Sequence, residues 1–345
     1  MRLQSKEIFF GGILLVSLVL IMVLFYGYQV LYTPNFQVEK KDTIIFIKPQ
    51  ENFKDLLKNL KKEKIVQDPI SFAFISQLMD YQDNVKEGRY RIQKNMNNLQ
   101  AVRMLRAGDQ KAVRVTFNNI RKLDKFAEKA ASYLSFDADA LLHILEDSSQ
   151  IKTFGFDQEN IISLFLPNTY EVYWTTTPQE FVEKMYQEYQ KFWNEARLAK
   201  AKALDLSPQE VSTLASIVQA ETNKEDEKAR IAGLYLNRIF NGMRLEADPT
   251  LVFALDDFSI KRVLNRHKKV DSPYNTYMHK GLPPGPINMP SPSSIDAVLS
   301  YEQHEYFFMC AREDLSGYHN FARTNEEHEK NARLLHAALD ARGIY

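Results

Sequence analysis

The sequence predicts an α+β protein in three parts: an N-terminal transmembrane helix, a small α+β module, and a mainly helical domain carrying a short sheet. That expectation rests on an uncharged N-terminal run, an early alternation of strand-like and helix-like periodicity, and well-marked helix starts further along. At 345 residues the chain has room for about two folded domains.

The uncharged run extends from Ile8 to Val38, and Ile8 to Tyr26 is nearly continuous Ile, Leu, Val, Phe and Met. About nineteen residues at roughly 1.5 Å each make roughly 29 Å of helix, enough to cross a hydrocarbon core. A cleaved signal peptide is the rival reading, but its apolar region would be only about 7–15 residues and would end at a small-residue site. Here Tyr26, Tyr28 and Tyr32 follow, as an interfacial aromatic set does. An uncleaved anchor is therefore expected over 8–32, with 1–7 as a short tail. Arg2 and Lys6 precede the span and Lys40, Lys41 and Lys48 follow it, so positive charge alone does not orient it.

Beyond the linker Thr33–Pro34–Asn35, residues 33–110 read as the small module. Ile44 to Ile47 is a β-branched run, and Phe53, Leu56, Leu57 and Leu60 recur at helical spacing. Asp68–Pro69 starts a second helix, Gly88 to Ile92 forms a returning strand, and Asn97 with Gln100 caps a third helix that Gly108 ends. Residues 111–200 form a mixed connecting region, with a strand at Val113 to Phe117. A boundary near Leu198 to Leu206 opens the last domain, 201–345.

Composition narrows the function. Lys plus Arg and Asp plus Glu are 44 each, so no global field favours nucleic acid. The single cysteine, Cys310, excludes an internal disulfide and any cysteine-rich metal site; its apolar surroundings suggest a buried strand thiol. A zinc hydrolase motif fails at both His-Glu pairs, because Phe308 stands four residues after His304 and Ala332 four after His328. No metal and no cofactor are implied.

The chemistry concentrates in one helix. Ser207–Pro208–Gln209–Glu210 is a capping box with proline at the first helical position. Val211, Leu214, Ile217 and Val218 form its apolar stripe, and at about 100° per residue Glu221 falls about 20° from Leu214. A carboxyl on the apolar face must be paired, protonated or open to a cleft, and desolvation would raise its pKa toward about 6. An ordinary alternative is a helix-end glutamate that escapes to water or pairs with Lys224 or Arg230. Asn223 is expected to cap the next helix, which ends at Asn241–Gly242; Asn237 and Arg238 lie off its stripe. Asp248 before Pro249 reads most simply as an N-cap. Six of the 13 prolines fall between Asp271 and Pro292, around Tyr274, Asn275 and Tyr277. Such a stiff loop with stacking faces suits a sugar-lined groove or a purely structural role.

Several motifs together resemble the YceG-like family of endolytic murein transglycosylases. They are Leu214–Ala215–Ser216–Ile217–Val218–Gln219–Ala220–Glu221–Thr222, Leu236–Asn237–Arg238–Ile239, Gly242–Met243–Arg244–Leu245, Asp248–Pro249–Thr250, the Ser272 to Pro286 loop and Gly317–Tyr318–His319–Asn320–Phe321. The pattern departs at Asn118–Asn119–Ile120, where a Pro-Glu-Gly turn is expected, and at Asn168, where aspartate is common.

The resemblance implies that Glu221 is the catalytic acid, that 33–110 is LysM-like and that 201–345 is catalytic. It also implies an N-terminus inside the cytoplasm and a catalytic domain outside the cell's inner membrane. Peptidoglycan glycan strands become the expected substrate and membrane-bound peptidoglycan synthases expected partners. Asn237, Asp248, Tyr274, Asn275, Tyr277 and His319 are candidates for binding sugar. A hydrolytic muramidase would instead need a second carboxylate such as Asp248 or Asp271. An anchored wall-binding scaffold would need no catalytic acid.

Overall fold

A computed structural model describes residues 5–38, 42–260 and 262–343, with side chains of 5–8 excluded. Arg2, Lys40 and Lys41, which enter the charge count around the span, lie outside the described residues. The chain folds into two compact units, residues 1–114 with 171–176, and residues 115–170 with 177–345.

The first unit begins with α1 (Ser5–Tyr32), whose stretch Phe9–Tyr32 has a mean hydropathy of 2.7, with Val30 and Leu31 at its end packed against the module core. This is one helix long and apolar enough to cross a membrane. After β1 (Pro34–Phe36) come β2 (Asp42–Ile47), α2 (Phe53–Lys62), α3 (Pro69–Leu78), β3 (Gly88–Gln93), β4 (Met96–Asn97) and α4 (Asn98–Ala107). From β2 the order is strand, helix, helix, strand, helix, as the periodicity predicts, except that the two-residue β4 intervenes before α4. The strands pair antiparallel, β1 with β4 and β2 with β3, placing Ile45 opposite Tyr90 and Ile47 opposite Gly88.

Alternate residues of β2 and β3 face one core. Ile45, Ile47, Tyr90 and Ile92 meet Phe53, Phe72 and Leu105 there. The expected caps form: Asp68 accepts from the Ile70 and Ser71 amides, Asn97 and Gln100 complete a capping box, and Gly108 closes α4 at φ 76°. Where α1 ends, the buried Asn35 donates its side-chain amide to Asn98 Oδ1 at 2.7 Å, and Asn98 donates to the Val30 carbonyl at 2.9 Å. The membrane-length helix is thereby tied into the module.

In the ribbon of β5 (Val113–Thr116) and β6 (Thr169–Val172) the chain passes from one unit to the other. The second unit contains α5 (Leu123–Ala131), α6 (Ala138–Glu146), α7 (Ser148–Thr153), α8 (Pro178–Phe192), α9 (Glu195–Ala203), α10 (Pro208–Glu221), α11 (Lys228–Phe240), α12 (Asp248–Ala254) and α13 (Pro292–Leu299). It ends with the antiparallel hairpin β7 (Phe308–Ala311) and β8 (His319–Ala322), followed by α14 (Asn325–Asp340). Residues 198–206, where the sequence suggests a boundary, lie inside this unit and divide no compact bodies.

Helix α10 is the axis of the second unit. Every residue from Val211 to Val218 is buried. Its buried hydroxyls are satisfied locally, Ser212 donating to the Pro208 carbonyl, Thr213 to Gln209 and Ser216 to Thr213. The Pro-rich segment is stitched along the same helix. Ile287 donates its amide to Ser216 Oγ, Asn288 its side-chain amide to the Ser216 carbonyl, and Gln219 bridges Asn288, Met289 and Ser291. Gly285 is required there, since a Cβ would stand 1.9 Å from the Glu159 carbonyl oxygen.

Candidate active site

Glu221 is the last residue of α10, which begins at the expected capping box of Ser207 and Glu210. The helix thus delivers a carboxyl to the end of a buried apolar face. Two cavities meet at it. One of about 550 Å³ is lined by Glu221, Tyr235, Asp248, Tyr277, His319 and the β7 strand, among others. The other, of about 450 Å³, is lined by Glu221 and Asp248 again, with Arg121, Asn223, Phe253 and Asn288. Glu221 and Asp248 line both spaces.

Protein encloses the Glu221 carboxyl on most sides, and this burial pushes its pKa up to about 7. The nearby Asp248 charge raises it further, whereas the Tyr235 hydrogen bond and the His319 charge pull it down. Its place at the carbonyl end of α10 also disfavours the anion. Tyr235, buried on α11, donates its hydroxyl to Glu221 Oε1 at 2.7 Å, and its own pKa is raised by burial and by that carboxyl.

Asp248 is the first residue of α12 and caps nothing; Ala247 holds the cap position. Its carboxylate accepts the Tyr277 hydroxyl at 2.6 Å. The N-cap reading of Asp248 therefore gives way to a carboxylate turned into the cavities. Burial raises the Tyr277 pKa, with the Asp248 bond reinforcing it.

His319 opens β8 and lines the larger cavity, held by Glu227 through contacts of 2.8 Å at both its backbone N–H and ring Nδ1. Tyr274 lines neither cavity; its ring is 4.8 Å from that of Phe253, which lines the smaller one, and burial pushes its pKa up to about 12.

Two other candidates are occupied inside the protein. Asn275 is fully buried; it donates to the Lys268 and Val270 carbonyls and accepts the Tyr277 amide, bracing the loop. Asn237 donates to the carbonyls of His304 at 2.7 Å and Tyr306 at 3.1 Å, and lines neither cavity. Polarity alone does not separate such braces from residues that face a groove. Asp271, the alternative second carboxylate, is exposed and lines neither cavity.

Two further expectations are revised. Helix α11 starts at Lys228 with Glu227 at its cap, not at Asn223, because Thr222 takes the preceding turn by accepting the Lys224 amide. Asn223 instead lines the smaller cavity. Cys310 is only half-buried and lines the larger one, with its pKa raised by burial. Tyr235, Arg238 and Lys268 also line that cavity although spacing did not single them out as a group. For Tyr235 a signal existed: a hydroxyl on a core-facing stripe needs a buried partner.

The profile of the YceG-like family matches residues 45–334, and the chain belongs to that family. It is 23% identical, over 89% of its length, to a Streptococcus pneumoniae protein named endolytic murein transglycosylase. A Bacillus subtilis protein of the same name is 31% identical over 48% of the chain. The chain spans 61% of the pneumococcal relative and 45% of the Bacillus one. The 2.6 Å crystal structure of a protein described as YceG-like from Listeria monocytogenes is similar with a TM-score of 0.55 and 26% identity. That likeness covers 85% of this chain and 99% of that one.

Proposed function

We propose that this chain is a membrane-anchored endolytic lytic transglycosylase, which cleaves the β-1,4 bond between N-acetylmuramic acid and N-acetylglucosamine within peptidoglycan strands. The observation that carries the reading is a buried carboxyl, its pKa raised to about 7, that lines two cavities together with Asp248. Two cavities sharing one carboxyl suit a polymer extending both ways from the bond to be cut, and the names of the relatives support the substrate.

Protonated Glu221 donates to the glycosidic oxygen as the bond breaks through an oxocarbenium-like state. Ionised Glu221 then takes the proton of the muramyl C6 hydroxyl as that oxygen attacks C1, leaving a 1,6-anhydro end. Each proton leaves and returns to one carboxyl, so the group must cross its own pKa in the cycle. A value of about 7 makes both directions accessible. Asp248, Tyr277 and His319 line the space for the sugar, with Tyr274 backing the Phe253 wall.

The second carboxylate lining both cavities, Asp248, favours one other reading, hydrolysis by an activated water. Mass spectrometry of products from purified glycan strands separates the two, anhydro ends supporting transfer and reducing ends hydrolysis.

The remaining assignments belong to the same proposal. Residues 8–32 anchor the chain in the inner membrane, with 1–7 cytoplasmic and the catalytic domain outside. The first unit acts as a LysM-like module, and membrane-bound peptidoglycan synthases are partners. Protease protection of residues beyond 33 in sealed spheroplasts would contradict the orientation.

A further inference from the structure

Glu227 stands at the cap of α11, lines neither cavity and is only 4% exposed. Its carboxylate is nevertheless fully engaged. Oε1 accepts the His319 backbone N–H at 2.8 Å, while Oε2 faces His319 Nδ1 at 2.8 Å and the Thr222 hydroxyl at 3.3 Å. A backbone N–H and a hydroxyl already donate to this buried group, and an acceptor-only carboxylate facing the ring is satisfied at Oε2 when Nδ1 carries its proton. Nε2 makes no hydrogen bond within the described residues, and the ring lines the cavity that holds Glu221.

The pairing spans the chain from residue 227 to residue 319 and joins the hairpin to the turn just beyond Glu221. Other contacts hold the same junction. Lys224 packs over the Tyr318 ring at 4.7 Å, Tyr318 donates to Asp226, and Arg312 donates to the His319 carbonyl. These neighbours already fix the backbone of the hairpin. What Glu227 adds is the tautomer and direction of one imidazole.

We propose that Glu227 is a positioning residue that commits Nδ1 of His319, fixing the imidazole in the Glu221 cavity so that its charge supports Glu221 as it ionises on giving its proton to the glycosidic oxygen. The inference rests on the transglycosylase reading for the step it serves, and on geometry alone for the pairing. Glu227 faces the ring directly; Glu221, Asp248, Glu246, Arg238, Lys268 and His328 line the same cavity, while Lys224 packs over the neighbouring Tyr318 ring, Asp226 accepts the Tyr318 hydroxyl, Arg312 donates to the His319 carbonyl and Arg230 stands over the Phe321 ring. Among these, the His319 charge acts on Glu221 against burial and against Asp248.

The test is a titration of Glu221 without substrate. The full chain in detergent, carrying carbon-13 at glutamate side-chain carboxyls, gives a Glu221 signal assigned by its loss in Glu221→Gln. His319→Gln is expected to raise the midpoint by about half to one unit. Glu227→Gln should move it the same way, and the double variant no further than His319→Gln alone. An unmoved midpoint in His319→Gln overturns the proposal. So does a shift from Glu227→Gln that persists when His319 is already absent, which marks a merely structural role. Should His319→Gln fail to fold, the near-isosteric Glu227→Gln decides alone: an unmoved midpoint overturns. Glycan cleavage by the wild-type protein, assayed in parallel, tests the transglycosylase reading separately.

Discussion

The Tyr235 hydroxyl donates to Glu221 Oε1 at 2.7 Å, joining the end of α10 to the buried face of α11. This bond opposes burial and holds the carboxyl in one direction. Removing it should therefore raise the Glu221 pKa beyond about 7. In Tyr235→Phe the alkaline limb of the pH–rate profile is expected to move up by about half a unit to one unit, with kcat falling on the order of tenfold. A limb that stays in place or moves down would show that Tyr235 does not tune this acid.

Glu221→Gln should abolish cleavage, since an amide neither donates the proton nor recovers it; a loss of about 10²–10⁴ or more is expected. Its stability has a distinct pH signature. A folded-state pKa raised from 4.5 to about 7 means that the native protein binds the proton more tightly than the unfolded chain. Stability is then lost as pH rises from about 4.5 through about 7, and the glutamine variant avoids that loss. Thermal melts should coincide near pH 4, whereas above pH 7.5 the variant should be the more stable, by up to roughly 2–3 kcal/mol.

Asp248→Asn removes a like charge beside Glu221 and weakens the acceptor of the Tyr277 hydroxyl. The Glu221 midpoint should fall, carrying the alkaline limb down, and activity should drop on the order of tenfold while anhydro ends remain. Loss of all cleavage, with Glu221 still titrating, would transfer the decisive role to Asp248 and favour the hydrolytic reading.

Asn237→Ala should act on the fold. The amide bridges the carbonyls of His304 and Tyr306, the segment leading into β7, and truncation leaves both acceptors short of a donor. The expected cost is about 1–3 kcal/mol in denaturant unfolding, with KM for glycan strands little changed. A KM effect without lost stability would return Asn237 to the binding surface.

The local signals were legible in the sequence because they act over three or four residues. The capping boxes at Asn97 and Ser207, the helical spacing that turns Glu221 inward, and the apolar run of α1 are all of this kind. What the sequence hid is long-range. Glu227 meets His319 across 92 positions and Tyr277 meets Asp248 across 29, and no periodicity foretells either. Asn275 and Asn237 look like groove residues by polarity, yet each satisfies backbone carbonyls that would otherwise be buried without a donor. The small sheets were hard to delimit for a related reason: among the described residues all are two-stranded pairs, placed by packing as much as by strand propensity.

Cleavage of purified glycan strands in heavy-oxygen water tests the central claim most directly. If Glu221 directs attack by the muramyl hydroxyl, every new muramyl end is 1,6-anhydro, the leaving N-acetylglucosamine keeps the glycosidic oxygen as its 4-hydroxyl, neither end carries solvent oxygen, and Glu221→Gln makes no new ends. Heavy oxygen at the new ends, or cleavage surviving in Glu221→Gln, would contradict it.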